Sequence, residues 1–372
     1  MRKKLLFAIG TRPEAIKVAP VIRKFKVSNY EVKVCNTGQH TDLLDPILDF
    51  FDLDIDFSLD IMKKNQSLFD ITTNILTKIE EILEKETPDL VFVHGDTSTA
   101  FIVSLACFYK KIKVSHIEAG LRTFDKFSPY PEEINRTLIS SLADIHLAPT
   151  ERSMNNLLGA NVSKDNISVT GNTVIDSLHI AQEIVNTNKN YSMDELITHE
   201  KIILFTGHRR ENFGKGFENI FMALKEIVNL HPEVKIIYPV HPNPNVKNLA
   251  DKFFKDSSNI SIIDPLDYGR FVWLMSKSYL IITDSGGIQE EAPSLGKPVL
   301  VTRDKTERPE AVEAGTVILV GNNMKKITKT ASMLISNQNE YQKMSKLINP
   351  YGDGKASDRI VKVINKLIWK IK

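Results

Sequence analysis

Tyr279–Val301 reads YLIITDSGGIQEEAPSLGKPVLV. Its apolar start, Tyr279–Thr283, has the length and β-branched content of a buried strand. Asp284-Ser285-Gly286-Gly287 is a turn of small residues, Ile288 onward opens a helix, and Pro298–Val301 is a second short apolar run. A strand that reaches the next strand through a helix is a parallel crossover, so this stretch predicts α/β architecture with helices on both faces of a parallel sheet. Backbone N–H groups at such a helix start can cradle a phosphate, and glycines let the backbone approach it closely. The same residues also suit a tight turn with Ser285 as N-cap and nothing bound.

The pattern recurs along the chain. Leu5–Ile9, Val32–Cys35, Leu90–Val93, Val114–Ile117, Ile145–Ala148 and Ile167–Val169 read as strands. Amphipathic stretches such as Ser67–Glu86 and Thr97–Tyr109 lie between them. After a polar, largely helical bridge from about Asp176 to Lys201, a second series runs through Ile202–Phe205, Val234–Tyr238, Ile260–Ile263, Tyr279–Thr283, Pro298–Val301 and Thr316–Val320. Two doubly wound, Rossmann-like domains facing across a cleft are expected, 1–175 and 176–356. Residues 357–372 form a last helix that can pack back on the first domain.

The 372 residues suit two domains. With 42 % apolar and 25 % charged residues, burying a core poses no difficulty. Forty-eight basic against 46 acidic residues, net +2, argues against nucleic acid or a membrane as bulk partner. Cys35 and Cys107 have no paired spacing, which suits a reducing compartment and argues against disulfides or a zinc knuckle. The Leu5–Ile9 run is followed at once by Arg12-Pro13-Glu14, so a first strand is the better reading than a signal peptide. No apolar stretch approaches the roughly 18–20 residues that span a bilayer. A cytoplasmic protein is expected.

Ligands bind at the carboxyl ends of strands in open parallel sheets, and the unusual polar clusters follow strands. Arg12 and Lys17 flank the first strand–helix turn, where cations suit a phosphate or a solvated helix start. His208-Arg209-Arg210 and Arg308 add cations in the second half. Asp96, Glu118 and Glu132 are acid–base candidates; Glu132, in the proline-braced Ser128-Pro129-Tyr130-Pro131-Glu132, also suits a helix-capping acid. Glu291 lies one helical turn beyond Gly287, where a carboxylate can hold ribose hydroxyls. Other patterns carry less. Asp52-Leu53-Asp54-Ile55-Asp56 resembles a metal-binding DxD but does not follow a long buried strand. Tyr109–Lys113 fits a YxxxK, yet no GxGxxG follows the first strand. No His/Cys/carboxylate spacing suggests a metal.

In order, GTRPEAIKVAP (Gly10–Pro20), HGDT (His94–Thr97), HIEAGLRT (His116–Thr123), SPYPEEINR (Ser128–Arg136), GNTVID (Gly171–Asp176), TGHRRENFG (Thr206–Gly214), YPVHPNP (Tyr238–Pro244), DSGGIQEEAPSLGKP (Asp284–Pro298), ERPEAVEAG (Glu307–Gly315) and NPYGDG (Asn349–Gly354) resemble the non-hydrolysing UDP-N-acetylglucosamine 2-epimerases across almost the whole chain. The resemblance implies a GT-B-like fold, a homodimer, and interconversion of UDP-GlcNAc and UDP-ManNAc without metal or redox cofactor, usually for surface polysaccharide. It implies elimination of UDP to 2-acetamidoglucal and re-addition, with Asp96, Glu118 and Glu132 as the catalytic acids and His208 beside them. It places Arg12, Lys17, His208, Ser285, Gly286, Gly287 and Arg308 on the nucleotide sugar, Glu291 on the ribose, Phe271 on the uracil and Leu266 near the base. It also implies a second, activating UDP-GlcNAc site at Gln39, Glu132, Arg209, Arg210 and His241. There Asp42 and Asn65 replace the glutamine and arginine of some relatives, so weaker activation is expected unless Lys63 or Lys64 compensates. A variable surface loop with no regulatory role is the other reading of that segment. The rival functions are a hydrolysing 2-epimerase, a GT-B glycosyltransferase and a non-catalytic nucleotide-sugar sensor.

Overall fold

The computed structural model describes residues 2–38, 41–62 and 66–368, without the side chains of 41–43 and 245. The chain forms two compact units: Met1–His179 with Gly352–Lys372, and Ile180–Tyr351. The final helix, Ala356–Leu367, therefore belongs to the first unit. The Asp176 carboxylate accepts its first backbone N–H groups, from Ala356 at 3.1 Å and Ser357 at 2.8 Å. Asn365 accepts from the Tyr30 hydroxyl at 2.6 Å. The unit boundaries thus fall after His179 and after Tyr351.

Unit 1 contains β1 (Lys3–Ile9), β2 (Tyr30–Asn36), β3 (Phe57–Ser58), β4 (Leu90–His94), β5 (Val114–Ile117), β6 (Ile145–Ala148) and β7 (Ile167–Val169). They form a parallel sheet in the order β3-β2-β1-β4-β5-β6-β7. The chain winds outward from β1 in one direction, then returns to place β4 on its other side, which makes a switch point between β1 and β4. Both faces of β1 are covered. Phe7 stacks on Phe92 at 4.4 Å with Phe25 beside them. Leu6 and Ala8 join a cluster with Ile75, Ile79, Ile102 and Val103. Full burial on both faces explains the unbroken apolar runs.

Unit 2 repeats the design with β8 (Lys201–Thr206), β9 (Val234–Pro239), β10 (Ile260–Ile263), β11 (Leu280–Thr283), β12 (Val299–Val301) and β13 (Val317–Leu319). The order is β10-β9-β8-β11-β12-β13, all parallel, with its switch point between β8 and β11. Phe205, Phe217, Phe221 and Tyr238 dominate the core on one face of β8.

The sequence runs mark the strands to within a residue or two at each end. The exception is β3, a two-residue strand missing from the pattern, because so short a run has no readable period. It pairs with β2. The neighbouring Asp56 serves structure: its carboxylate takes Lys33 Nζ at 2.9 Å and the Val34 N–H at 2.9 Å. Among the described residues no helix is long and apolar enough to cross a membrane. Cys35 and Cys107 are buried free thiols.

Candidate functional residues at the switch point of each unit

In unit 1 the turn after β1 leads into helix Arg12–Lys26, with Arg12 half-buried at its start. The turn after β4 leads into helix Ser98–Lys110, capped by the Thr97 hydroxyl, which accepts from Ala100 N at 3.0 Å. Gly10 is required where these turns meet, because a Cβ there would drive into the Thr37 and Thr99 hydroxyls. Lys17, one helical turn beyond Arg12, places its ammonium against the Glu118 carboxylate. Asn172 donates to the same carboxylate at 2.9 Å, and His94 Nε2 lies 3.9 Å away. Glu118 itself sits in left-handed backbone, φ 61°, a conformation costly for a residue with a Cβ. Such strain is often kept where a side chain must be aimed.

Asp96 lies beside this pair. Its carboxylate accepts from Arg136 Nη2 at 2.5 Å, and its backbone carbonyl accepts from Asn135 Nδ2 at 2.9 Å. Burial pushes the Asp96 carboxyl above the ordinary range; Arg136 opposes the rise, while the charges of Glu118 and Glu132 add to it. Glu132 begins helix Glu132–Leu142, and its Oε2 is buried without a hydrogen-bond partner among the described residues. The three candidate acids are thus one electrostatic cluster. Arg136, four residues and one helical turn beyond Glu132, reaches back from the same helix. His116 supports the floor: its Nε2 donates to the Gly95 carbonyl at 2.6 Å, and burial pushes the ring down to about 3, which leaves it neutral.

In unit 2 the turn after β8 carries His208, Arg209 and Arg210, and the turn after β11 carries Asp284–Gly287. Asp284, fully buried, ties the two. Its Oδ2 accepts from the His208 and Arg209 backbone N–H groups, each at 2.9 Å, and its Oδ1 lies 3.4 Å from His208 Nδ1. Burial lowers the His208 ring and the Asp284 carboxylate counters it. The His208 ring stacks on His241 at 5.7 Å. Arg209 Nε is buried without a hydrogen-bond partner among the described residues. Arg210 is exposed in a short 3₁₀ turn.

Ser285 precedes the short helix Gly286–Glu291. A Cβ at Gly286 would lie 3.2 Å from the Arg308 guanidinium, so glycine lets that cation close over the turn. Glu290 fixes Arg308 through Nε at 2.9 Å. Glu291 is buried, with Tyr268 OH donating to it at 3.3 Å, and Gly287 lies beside it. Leu266 and Phe271, both half-buried, flank the start of helix Tyr268–Lys277. Gln39, Asn65, Lys63 and Lys64 lie outside the described residues; Asp42 belongs to helix Thr41–Phe51, but its side chain lies outside them too. Among the described residues no group of three His, Cys, Asp or Glu is placed to hold a metal ion.

The family model for UDP-N-acetylglucosamine 2-epimerase matches residues 23–365. The Campylobacter jejuni UDP-N-acetylglucosamine 2-epimerase is 50 % identical, over 98 % of each chain. This chain belongs to the UDP-N-acetylglucosamine 2-epimerase family. Solved members of the family share its fold. The Neisseria meningitidis UDP-GlcNAc 2-epimerase bound to UDP-GlcNAc is 49 % identical, with TM-score 0.90 over 98 % of this chain and 100 % of that one. The S. aureus MnaA–UDP co-structure is 42 % identical, with TM-score 0.88 over 99 % and 98 %. The fold is accordingly GT-B-like, with two Rossmann-like sheets in one chain.

Within this epimerase fold, sequence reasoning passed over residues that act through other residues. The sequence presents Asp284 only as part of a phosphate turn. An acid at the carboxyl end of a buried strand, just before Ser-Gly-Gly, was the available signal. Glu14, Asn172 and Glu290 gave weaker signals, because their partners are remote in sequence.

Proposed function

We propose that this chain interconverts UDP-GlcNAc and UDP-ManNAc without hydrolysis, by eliminating UDP and adding it back. The observation that carries this reading is the cluster of Asp96, Glu118 and Glu132, three carboxylates brought together at the carboxyl ends of one sheet. Glu132 offers an oxygen without a hydrogen-bond partner among the described residues, and Glu118 is held by a lysine and an amide. Carbon 2 of the sugar is not next to a carbonyl, so its proton is too weakly acidic for unaided removal. In the elimination the C1–O bond breaks and UDP leaves with its electron pair. A carboxylate takes the C2 proton, and 2-acetamidoglucal remains. Re-addition of UDP with protonation from the other face gives the epimer. Positioned carboxylates are suited to both proton transfers.

The leaving diphosphate needs cations and N–H donors. Arg12, Lys17, His208, Arg308 and the Ser285–Gly287 backbone are the proposed set, with Glu291 on the ribose, Phe271 on the uracil and Leu266 near it. The route calls for neither metal nor redox cofactor. Family resemblance supports a cytoplasmic enzyme that feeds surface polysaccharide synthesis. It also supports a homodimer, for which exposed Phe69, Phe108, Tyr109, Ile134 and Leu138 offer apolar surface on unit 1. By the same resemblance, a second UDP-GlcNAc acts at Gln39, Glu132, Arg209, Arg210 and His241, and Asp42 and Asn65 should weaken its activation unless Lys63 or Lys64 compensates.

Incubation with UDP-GlcNAc alone, followed by NMR product analysis, tests the reading. UDP-ManNAc at equilibrium with substrate is expected. Accumulation of free ManNAc with UDP would mean hydrolysis. Turnover only with an added acceptor would mean transfer, and no conversion at all would leave a binding protein.

A further inference from the structure

The turn carrying Asp96 is held at several points, and one of them belongs to neither a proposed ligand nor a proposed acid. Glu14 lies in the first turn of helix Arg12–Lys26 and is 1 % exposed. Its Oε2 accepts from the Gly10 N–H at 3.0 Å and from the Thr11 hydroxyl at 2.8 Å. Its Oε1 accepts from the Thr97 hydroxyl at 2.6 Å. Thr97 follows Asp96 directly, and Thr11 precedes Arg12. One buried carboxyl therefore joins the turn after β1 to the turn after β4 across the switch point.

We propose that Glu14 is a positioning residue: by holding Thr97 and Thr11 together, it fixes Asp96 relative to Arg12 and Lys17. The proposal rests on the reading of Asp96 as a catalytic carboxylate. A buried carboxyl is costly unless its oxygens are satisfied, and here burial pushes the Glu14 carboxyl up to about 7 against its hydrogen bonds. An acid needed only for the helix dipole can do that work at the surface. The second oxygen, spent on a residue 83 positions away, is what such a role leaves unexplained. A glutamine in its place keeps one acceptor oxygen; its amide can meet Thr97 only if that hydroxyl, which already accepts from the Ala100 N–H, reverses its bond, so the link between the turns weakens. Because the Gly95 carbonyl and the Asp96 carbonyl keep His116 and Asn135, the turn should loosen without unfolding.

The test is a cycle of Glu14→Gln, Thr97→Val and the double variant, read in two ways. The first is steady-state turnover with calorimetric UDP binding. Each single variant should lower kcat on the order of 10- to 100-fold, the scale of catalytic groups slightly misplaced. KM and UDP affinity should stay within about threefold, and the double variant should be little worse than either single. The second reading is amide hydrogen exchange over residues 94–99, which should quicken in each variant. Kcat losses that multiply, or wild-type kcat and exchange in Glu14→Gln, would overturn the proposal. If the wild-type enzyme shows no epimerisation, the reading of the site fails instead, and exchange still decides whether Glu14 holds the turn. Should Glu14→Gln not fold, Glu14→Asp, which withdraws the carboxyl by one methylene, must show the slower turnover and quicker exchange, because Thr97→Val also removes the cap on the Ala100 N–H.

Discussion

At the scale of single residues, the candidate acids differ in their surroundings. Asp96 faces Arg136, Glu118 faces Lys17 and Asn172, and Glu132 keeps an oxygen without a hydrogen-bond partner among the described residues. Asp96→Asn, Glu118→Gln and Glu132→Gln preserve size and remove basicity. Each is expected to lower kcat roughly 10²–10⁴-fold if it moves a proton, with UDP affinity retained. Steady-state kinetics with calorimetry checks this, and near-normal turnover in any one variant removes that residue from the mechanism. The identity of these residues was legible because each follows a strand or a proline-braced turn. Their partners were not. Lys17–Glu118 spans 101 positions and Asp96–Arg136 spans 40, and no local pattern announces a side-chain bond of that reach.

At the scale of elements, β5 and β6 place His116 directly opposite His146 in the sheet. Both rings are buried, and burial pushes them from an ordinary 6.5 down to about 3 and about 4. The unfolded chain therefore binds protons that the folded chain refuses. Their contribution is full above about 6.5 and is lost as pH falls toward 4. Glu14 works the other way: its folded value, about 7, exceeds its ordinary 4.5, so its contribution is full below 4.5 and lost as pH rises through 7. The expected outcome for His146→Gln is a flatter stability profile, with the difference from wild type changing by roughly 1 kcal/mol per pH unit between 6.5 and 4.5. Urea unfolding at several pH values measures it; parallel profiles would contradict the buried neutral pair. The strand runs were legible because burial on both faces leaves continuous apolar sequence. The two-residue β3 was not, and neither was the crossing of Asp284 from β11 to the His208 turn, which depends on strand order rather than chain order.

At the scale of the whole molecule, two doubly wound sheets in one chain follow from alternating strand and helix patterns, and ten ordered motifs bring the family with them. The proposed homodimer belongs to this scale, and Phe69, Phe108, Tyr109, Ile134 and Leu138 are exposed apolar side chains of unit 1 that it would cover. Phe108→Glu is expected to shift a dimer to monomer in analytical ultracentrifugation, while an unchanged dimer would move the interface elsewhere. The central claim is that C2 loses its proton while UDP is detached, and it is tested by running the reaction in deuterated water. Mass spectrometry and proton NMR of UDP-ManNAc should then show deuterium at C2, accumulating in the UDP-GlcNAc pool as turnover continues; full retention of the substrate hydrogen at C2 in the epimerised product would contradict the account.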